Sequence, residues 1–340
     1  MSKIDLARQL GTTATAVTFL EEEGTAGDDA ATLAHILGFP ADFFLAPWAS
    51  PREDCTSLFR AGPKASATRK KLAHACGDLG FEVDQYIADR FTLPSLNLPE
   101  LSELDPRQAA RELRYHWAVA AERPLPNLVQ LCESQGVHVY GLPPVAHCVD
   151  AFSDWFGPTP LIFLARHKTP ERTRFDLTHE LGHLVLHSAA SSDKDPAMME
   201  READAFASEF LLPQLTILNN VRTNASLSTV LQIRDAFHVS ATATAVAINE
   251  AGLFSDSAFE FTMRHLSRQG YRTGEPGGLQ HQERSRIFPT VFDRSRPKHL
   301  TIKQLEAELH IPAEDIHALT FGTQMISLNL KRHEQAESLQ

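Results

Sequence analysis

Cysteine is scarce in this 340-residue chain, and its spacing excludes two classes of site. The four cysteines are at positions 55, 76, 132 and 148, and no two of them form a CxxC pair. Neither a cysteine zinc site nor a dithiol redox motif is therefore indicated. No N-terminal signal peptide and no apolar run of membrane length are visible. We therefore expect a cytoplasmic protein with reduced thiols and no membrane association.

An excess of positive charge is also lacking. The chain has 32 Lys and Arg residues against 43 Asp and Glu residues, which gives a net charge of −11 and a pI of about 5.8. This balance argues against general coating of nucleic acid, although it is compatible with a local basic patch. The hydrophobic content of 43% and the charged content of 22% are typical of a globular protein with a real core. A length of 340 residues gives room for two or three domains.

The N-terminal segment lacks side chains that read base edges. Its LAxxLG pattern, from Leu6 to Gly11, resembles the second helix and the turn of an XRE-type helix-turn-helix module. The next predicted helix, at 14–23, contains no Arg, Lys, Asn or Gln and ends in three glutamates that repel phosphate. A further helix is predicted at 28–37. We expect a degenerate, protein-binding module rather than a DNA reader, which remains the alternative.

Residues 175–187, which read FDLTHELGHLVLH, carry an HExxH pattern. On a helix, His179 and His183 lie one turn apart on one face, within reach of one metal ion. Zinc accepts two imidazoles and keeps a position open for water, and Glu180 is placed to act as a general base on that water. Gly182 costs about 1 kcal/mol relative to alanine inside a helix, which predicts close approach of a neighbouring element. The alternative is a pair of polar histidines on a half-exposed face.

A third ligand is predicted on a second amphipathic helix, in residues 199–213, MEREADAFASEFLLP. Glu200 and Asp204 share one face of it. The Glu200 carboxylate would complete a two-histidine zinc site, and Asp204 would accept the second N–H of a ligating histidine. One alternative is a solvated acidic face. The other is His187 as third ligand, although helical drift of about 40° turns it away from the first two histidines.

Three runs, DAFSDWFGPTPLIFL, ERTRFDLTHELGHLVLH and EREADAFASEFLLP, follow one another in this order. Through these three runs, residues 105–270 resemble the ImmA/IrrE family of zinc metallo-endopeptidases. The resemblance implies His179, His183 and Glu200 as zinc ligands and Glu180 as the base. It also implies a protein substrate, because known members cut a helix-turn-helix repressor and so release stress-response or mobile-element genes.

The predicted fold class is α+β and mostly helical. A zincin-like core, with a small sheet and the HExxH helix, is expected between helical flanking modules. The strands are predicted at 137–142, 150–156 and 161–164. The second of them could lie at the sheet edge and pair with an extended substrate, or be covered by its own protein.

Four segments are expected along the chain. They are a helix-turn-helix-like module at 1–45, a helical linker at 46–100 with loop-rich residues 48–63 and a long helix at 64–91, the peptidase core at 101–225, and a helical region at 226–340.

Two other functions compete with a repressor-cutting peptidase. The chain would be a transcription regulator if its zinc site were structural or inactive, but this predicts base-reading residues that the N-terminal module lacks. It would be a small-peptide hydrolase if its site were open to short amides. The helical flanks and the repressor-cutting relatives favour a protein substrate by analogy.

Overall fold

The computed structural model describes residues 1–25, 27–45, 67–146, 149–187, 194–223 and 225–322. The loop-rich residues predicted at 48–63, and the first residues of the helix predicted at 64–91, lie outside these ranges. Contacts divide the chain into two compact units. The first combines Met1–Cys55, Glu82–Phe91 and Phe288–Gln340, and the second combines Thr56–Phe81 and Thr92–Ile287. The four segments expected from the sequence stay a prediction.

The N-terminal helices of the first unit have clear start and stop signals. Ser2 and Asp5 form a reciprocal capping box at the start of the first helix, and Gly11, with φ 67°, ends it. The helices expected at 14–23 and 28–37 are confirmed, whereas the identity of the module as a helix-turn-helix stays a prediction. The four helices are α1 (Lys3–Leu10), α2 (Ala14–Glu23), α3 (Gly27–Leu37) and α4 (Ala41–Leu45).

The second unit contains a three-stranded sheet in the order β1-β3-β2. Helices α5 (Ala67–Ala88), α6 (Pro106–His116) and α7 (Leu128–Ser134) precede strands β1 (His138–Gly141), β2 (Ala151–Phe156) and β3 (Thr159–Leu164). Strand β1 is parallel to β3, and β2 is antiparallel to it. Phe156 stands opposite Thr159, so Gly157 and Pro158 form a two-residue hairpin loop. Strand β2 therefore lies at an edge of the sheet.

Alternation along β2 gives the strand two different faces. Phe152 and Phe156 pack against α5, where a Cβ added at Gly77 would meet their rings at 3.3 and 3.4 Å. Ser153, between them, points to the other face and contacts the HExxH helix. The sheet therefore separates an aromatic layer from the layer that carries the predicted site.

That layer is built from α8 (Pro170–Leu186) and α9 (Pro196–Leu211). Thr169 and Asp195 cap the two helices with their side chains, and a proline occupies the first position of each. Their contact is apolar, with Leu181, Ala203 and Phe206 all at 1% exposure or less. Burial of these side chains holds together the two helices that carry the predicted ligands.

Buried charged groups fix these helices to the rest of the unit. The Arg114 guanidinium, on α6, is 1% exposed and donates to the carbonyl oxygens of Phe210, Ala120 and Arg123 at 2.5, 2.8 and 2.5 Å. The Phe210 carbonyl lies in the last turn of α9, where helix carbonyls lack intrahelical partners. Arg114 therefore ties α6 to the end of α9.

An irregular segment, residues 271–286, is held to the second unit by buried carboxylates. Glu283 pairs with Arg174 on α8, and its Oε2 accepts from the backbone N–H of Leu128, at the start of α7, at 2.8 Å. Burial raises the pKa of Glu283, against the opposing effect of Arg174. Glu133 binds the same segment through the backbone N–H of Arg286 at 2.8 Å. These contacts join α7 and α8 through residues more than a hundred positions further along the chain.

The remaining elements are helical. The second unit continues with α10 (Gln214–Asn220), α11 (Leu227–Phe237), α12 (Ala241–Glu250) and α13 (Asp256–Arg268), and the chain then forms α14 (Ile287–Val291), α15 (Ile302–Leu309) and α16 (Ala313–Leu319). With 58% helix and one small sheet, the predicted α+β class with helical flanks is confirmed. Among the described residues, no helix combines the length and apolar character needed to cross a membrane.

Candidate metal centre

Helix α8 brings the two histidines of the HExxH pattern together. The Nε2 atoms of His179 and His183 are 3.0 Å apart. Helix α9 supplies the third group, because the Glu200 carboxylate lies 3.5 Å from His179 Nε2 and 3.6 Å from His183 Nε2. Ligand atoms of these three residues all lie within 4.8 Å of one another. The spacing predicted from helix periodicity is thus present in three dimensions, and the role of each residue as a ligand stays a prediction.

The hydrogen bonds behind the histidines select one proton arrangement. His179 Nδ1 is 2.9 Å from Asp204 Oδ1, which can only accept when ionised, so this nitrogen carries the proton. His183 Nδ1 is 2.9 Å from His187 Nδ1, and His187 Nε2 is 2.8 Å from Glu202 Oε2. Donation from His183 to His187 and from His187 to Glu202 satisfies both contacts. In this arrangement the Nε2 atoms of both site histidines present lone pairs.

Two facing lone pairs beside a carboxylate require a positive species between them. The Glu200 Oε1 atom is buried and has no hydrogen-bond partner, although a buried carboxylate oxygen normally has one. Burial alone would lower the pKa of His179, but the Asp204 and Glu200 carboxylates outweigh it and raise that pKa to about 10. The site therefore favours positive charge. Two imidazoles and one carboxylate are the donor set that zinc takes in open sites, so these residues fit zinc.

His187 does not join the cluster. Among the described residues, the grouped ligand atoms belong to His179, His183 and Glu200. His187 is fully buried and lies behind His183, between that ring and Glu202. This position fits a residue that orients His183, as the outer partners of metal-binding histidines do.

Glu180 and Ser153 form a second contact of the candidate site. Ser153 Oγ, on β2, donates to Glu180 Oε2 at 2.8 Å. Burial raises the pKa of Glu180 to about 7, while His179 and Ser153 oppose the rise. A carboxylate with a pKa near neutrality is suited to accept and return a proton.

The sequence predicted five residues of this region, which are His179, Glu180, His183, Glu200 and Asp204, and it missed Ser153 and the contact between His187 and Glu202. Glu200 and Asp204 reach the histidines as the shared helix face requires. Ser153 was not identified, although a serine on the alternate face of an aromatic strand was the available signal. Glu202 was assigned to the acidic run without a partner, and the outer partner of His183 was not foreseen.

One family model matches the part of the chain that carries the candidate site. The sequence model of the Peptidase_M78 family, described as the IrrE N-terminal-like domain, matches residues 132–249, which include β1 to β3, α8 and α9. No curated protein matches the chain. The family supports a metallopeptidase-like function and implies a metal, and the predicted resemblance is confirmed for this segment. Residues 132–249 are therefore similar to the IrrE N-terminal-like domain of the Peptidase_M78 family.

Proposed function

We propose that the chain is a zinc-dependent endopeptidase that cuts a regulatory protein at a specific site. The observation that carries the proposal is the approach of two histidine Nε2 atoms, 3.0 Å apart, to a buried and unpartnered Glu200 oxygen. A bound zinc ion would polarise the scissile carbonyl and acidify a water molecule. His179, His183 and Glu200 would hold it, and Asp204 and His187 would keep the two rings in the required tautomer.

Glu180 is the general base in this proposal. It accepts the proton of the attacking water and donates it to the leaving amine. Ser153 holds one carboxylate oxygen through its hydroxyl, which fixes the side chain on the β2 side of the site. The pKa of about 7 allows Glu180 to take and release a proton near neutral pH.

The edge of β2 offers a binding mode for an extended substrate. Trp155 stands opposite Pro160 in the strand register, and the Trp155 backbone N–H donates to Asp154 Oδ1 at 2.8 Å. In an antiparallel pair alternate residues turn their backbone groups outward, so Ser153 shares this open side. A peptide that paired with this edge would pass beside the residue that holds Glu180.

The expected substrate is a helix-turn-helix repressor, whose cleavage would derepress stress-response or mobile-element genes. The sequence resemblance to ImmA/IrrE peptidases and the family match to residues 132–249 support this choice. A protein substrate also suits an edge strand, because main-chain pairing requires several extended residues.

The test combines metal content with cleavage. We expect about one zinc per wild-type chain by mass spectrometry, and a strongly reduced load in Glu200→Ala. New termini in a proteome-derived peptide library report cleavage. Glu180→Gln should keep zinc and lose activity by about a hundredfold or more, whereas His183→Ala should lose both. A Glu180→Gln protein that still cuts would falsify the assignment of the base.

A further inference from the structure

A cavity of about 310 Å³ adjoins the candidate metal centre within the second unit. Asp204, whose Oδ1 is 2.9 Å from His179 Nδ1, forms part of its wall. Phe175 lies one turn before His179 on α8 and also lines the cavity, with its ring centroid 6.3 Å from that of His179. The cavity is thus one side chain away from a predicted ligand.

The cavity wall is mainly apolar. Helices α9 and α10 contribute Leu211 and Ile217, which are 3% and 1% exposed. Val239, just before α12, and Ala243 and Ala247, on α12, also line the cavity. Ligand pockets in proteins begin at roughly 300 Å³, so this cavity is large enough to take one side chain. An apolar pocket beside a reactive centre is the arrangement expected for a bound side chain.

Both arginines of the wall have carboxylate partners, whereas Glu171, which also lines the cavity, has a buried Oε2 atom without a hydrogen-bond partner. Arg107 pairs with Glu250 at 2.6 Å, and Arg172 pairs with Asp176 at 3.0 Å. An anion entering the cavity would lose its hydration and would meet arginines that are already neutralised. The mainly apolar wall and the paired arginines therefore favour an uncharged occupant over an anion.

We propose that this cavity is the specificity pocket of the peptidase site and that it takes a bulky, uncharged aliphatic or aromatic side chain beside the scissile bond. This inference rests on the proposed function, because it assigns the pocket to the substrate of that site. It narrows the substrate class to segments with a large apolar residue at the cleavage position.

Hydroxamates test the pocket without requiring turnover, because their head group chelates a site metal. Three probes titrated into the zinc-loaded full chain share this head group. They are acetohydroxamic acid, 4-methylpentanohydroxamic acid and the monohydroxamate of succinic acid. We expect the branched aliphatic probe to bind about tenfold or more tightly than acetohydroxamate, because burial of its extra carbons is favourable. The carboxylate of the succinic probe should add no binding affinity.

Two variants fill the cavity from α12, which carries no predicted ligand. Ala243→Phe and Ala247→Phe should each abolish the higher affinity of the branched probe. Acetohydroxamate should bind both variants as tightly as the wild type, which shows that the site is still folded. Asn249→Phe is the matched control, because Asn249 is half-buried on the same helix and does not line the cavity. In the Asn249→Phe protein the branched probe should keep its higher affinity.

The outcomes separate this inference from the proposed function. The pocket assignment alone would be overturned if acetohydroxamate and the branched probe bound equally tightly. It would also be overturned if the branched probe kept its higher affinity in both cavity-filling variants. Failure of all three hydroxamates to bind a zinc-treated protein would overturn the metal site, and the pocket assignment with it.

Discussion

Replacing Gly182 by alanine tests how closely α8 and α9 must approach at the metal centre. A Cβ atom at position 182 would lie 3.0 Å from Cδ1, 3.2 Å from Cγ and 3.3 Å from Cβ of Phe206. Carbon atoms in good contact are about 3.5–4.0 Å apart. The Phe206 side chain is fully buried and stacks on Phe210, with ring centroids 5.6 Å apart, so it has little room to retreat. The helices would have to separate by several tenths of an ångström.

Two opposing terms set the expected stability of Gly182→Ala. Alanine in place of glycine favours the helix by about 1 kcal/mol. Overpacking a closed core costs about 1–3 kcal/mol. We expect a net loss of about 1 kcal/mol, which corresponds to a fall in Tm of about 2–4 °C for a unit of this size. Calorimetry on the metal-free protein measures this loss.

Zinc affinity is the second readout of Gly182→Ala. The two histidines flank position 182 on α8, whereas Glu200 lies on α9, so separation of the helices moves the carboxylate away from the imidazoles. Metal–ligand distances tolerate only about 0.2 Å of change. Competition with a chromophoric chelator should therefore show weaker binding.

The control for Gly182→Ala shortens the opposing side chain. Phe206→Leu should destabilise the protein by itself, because it leaves a gap in the core. In the double variant the two changes should compensate, so that the loss is smaller than the sum of the single losses. A Gly182→Ala protein that gains about 1 kcal/mol and keeps its zinc affinity would refute the packing argument.

Two further predictions concern buried groups outside the ligand set. His187→Phe removes the partner of His183 Nδ1 and should weaken zinc binding by about ten- to a hundredfold, whereas Lys194→Ala, which removes only the 3.3 Å contact to Glu202, should change it much less. Equal effects in the same chelator competition would contradict the orienting role. Burial raises the pKa of Glu275 from 4.5 to about 7, so the folded chain keeps a proton that the unfolded chain has lost between these values, and stability falls as pH rises through them. Glu275→Gln should flatten this part of the curve of Tm against pH, and an unchanged slope would contradict it.

Local signals in the sequence were sufficient for the elements of the site. Asp105 caps α6 with its side chain and Pro106 follows it in the first turn, so two adjacent residues mark the start of this helix. The glycine at position 182 predicted a close neighbour, and the approach of Phe206 confirms it. Such features depend on residues within a few positions, or on one helical period, and both can be read from a linear chain.

Contacts between distant segments could not be read in the same way. Arg174 pairs with Glu283, and Ser153 donates to Glu180. In each pair the sequence around one residue does not predict the other residue as its partner. Residues 271–286 are mostly polar and contain three glycines, so their sequence does not indicate burial. Their carboxylates are buried because arginines and helix N-termini from other segments offer them partners, and this is a property of the tertiary structure.

The three carboxylates of α9 could be interpreted only once the fold was known. Carboxylates at 200, 202 and 204 resemble a solvated helix face, since charge runs usually point to water. In the structure Glu200 and Asp204 meet His179, and Glu202 meets His187 behind His183, so each carboxylate has a histidine on α8 or at its end. With a cation between the histidines these contacts become mutually favourable, whereas without one Glu200 Oε1 remains buried and unpartnered. Metal binding would therefore be coupled to the docking of α9 on α8, because part of the binding free energy would stabilise the contact between the two helices.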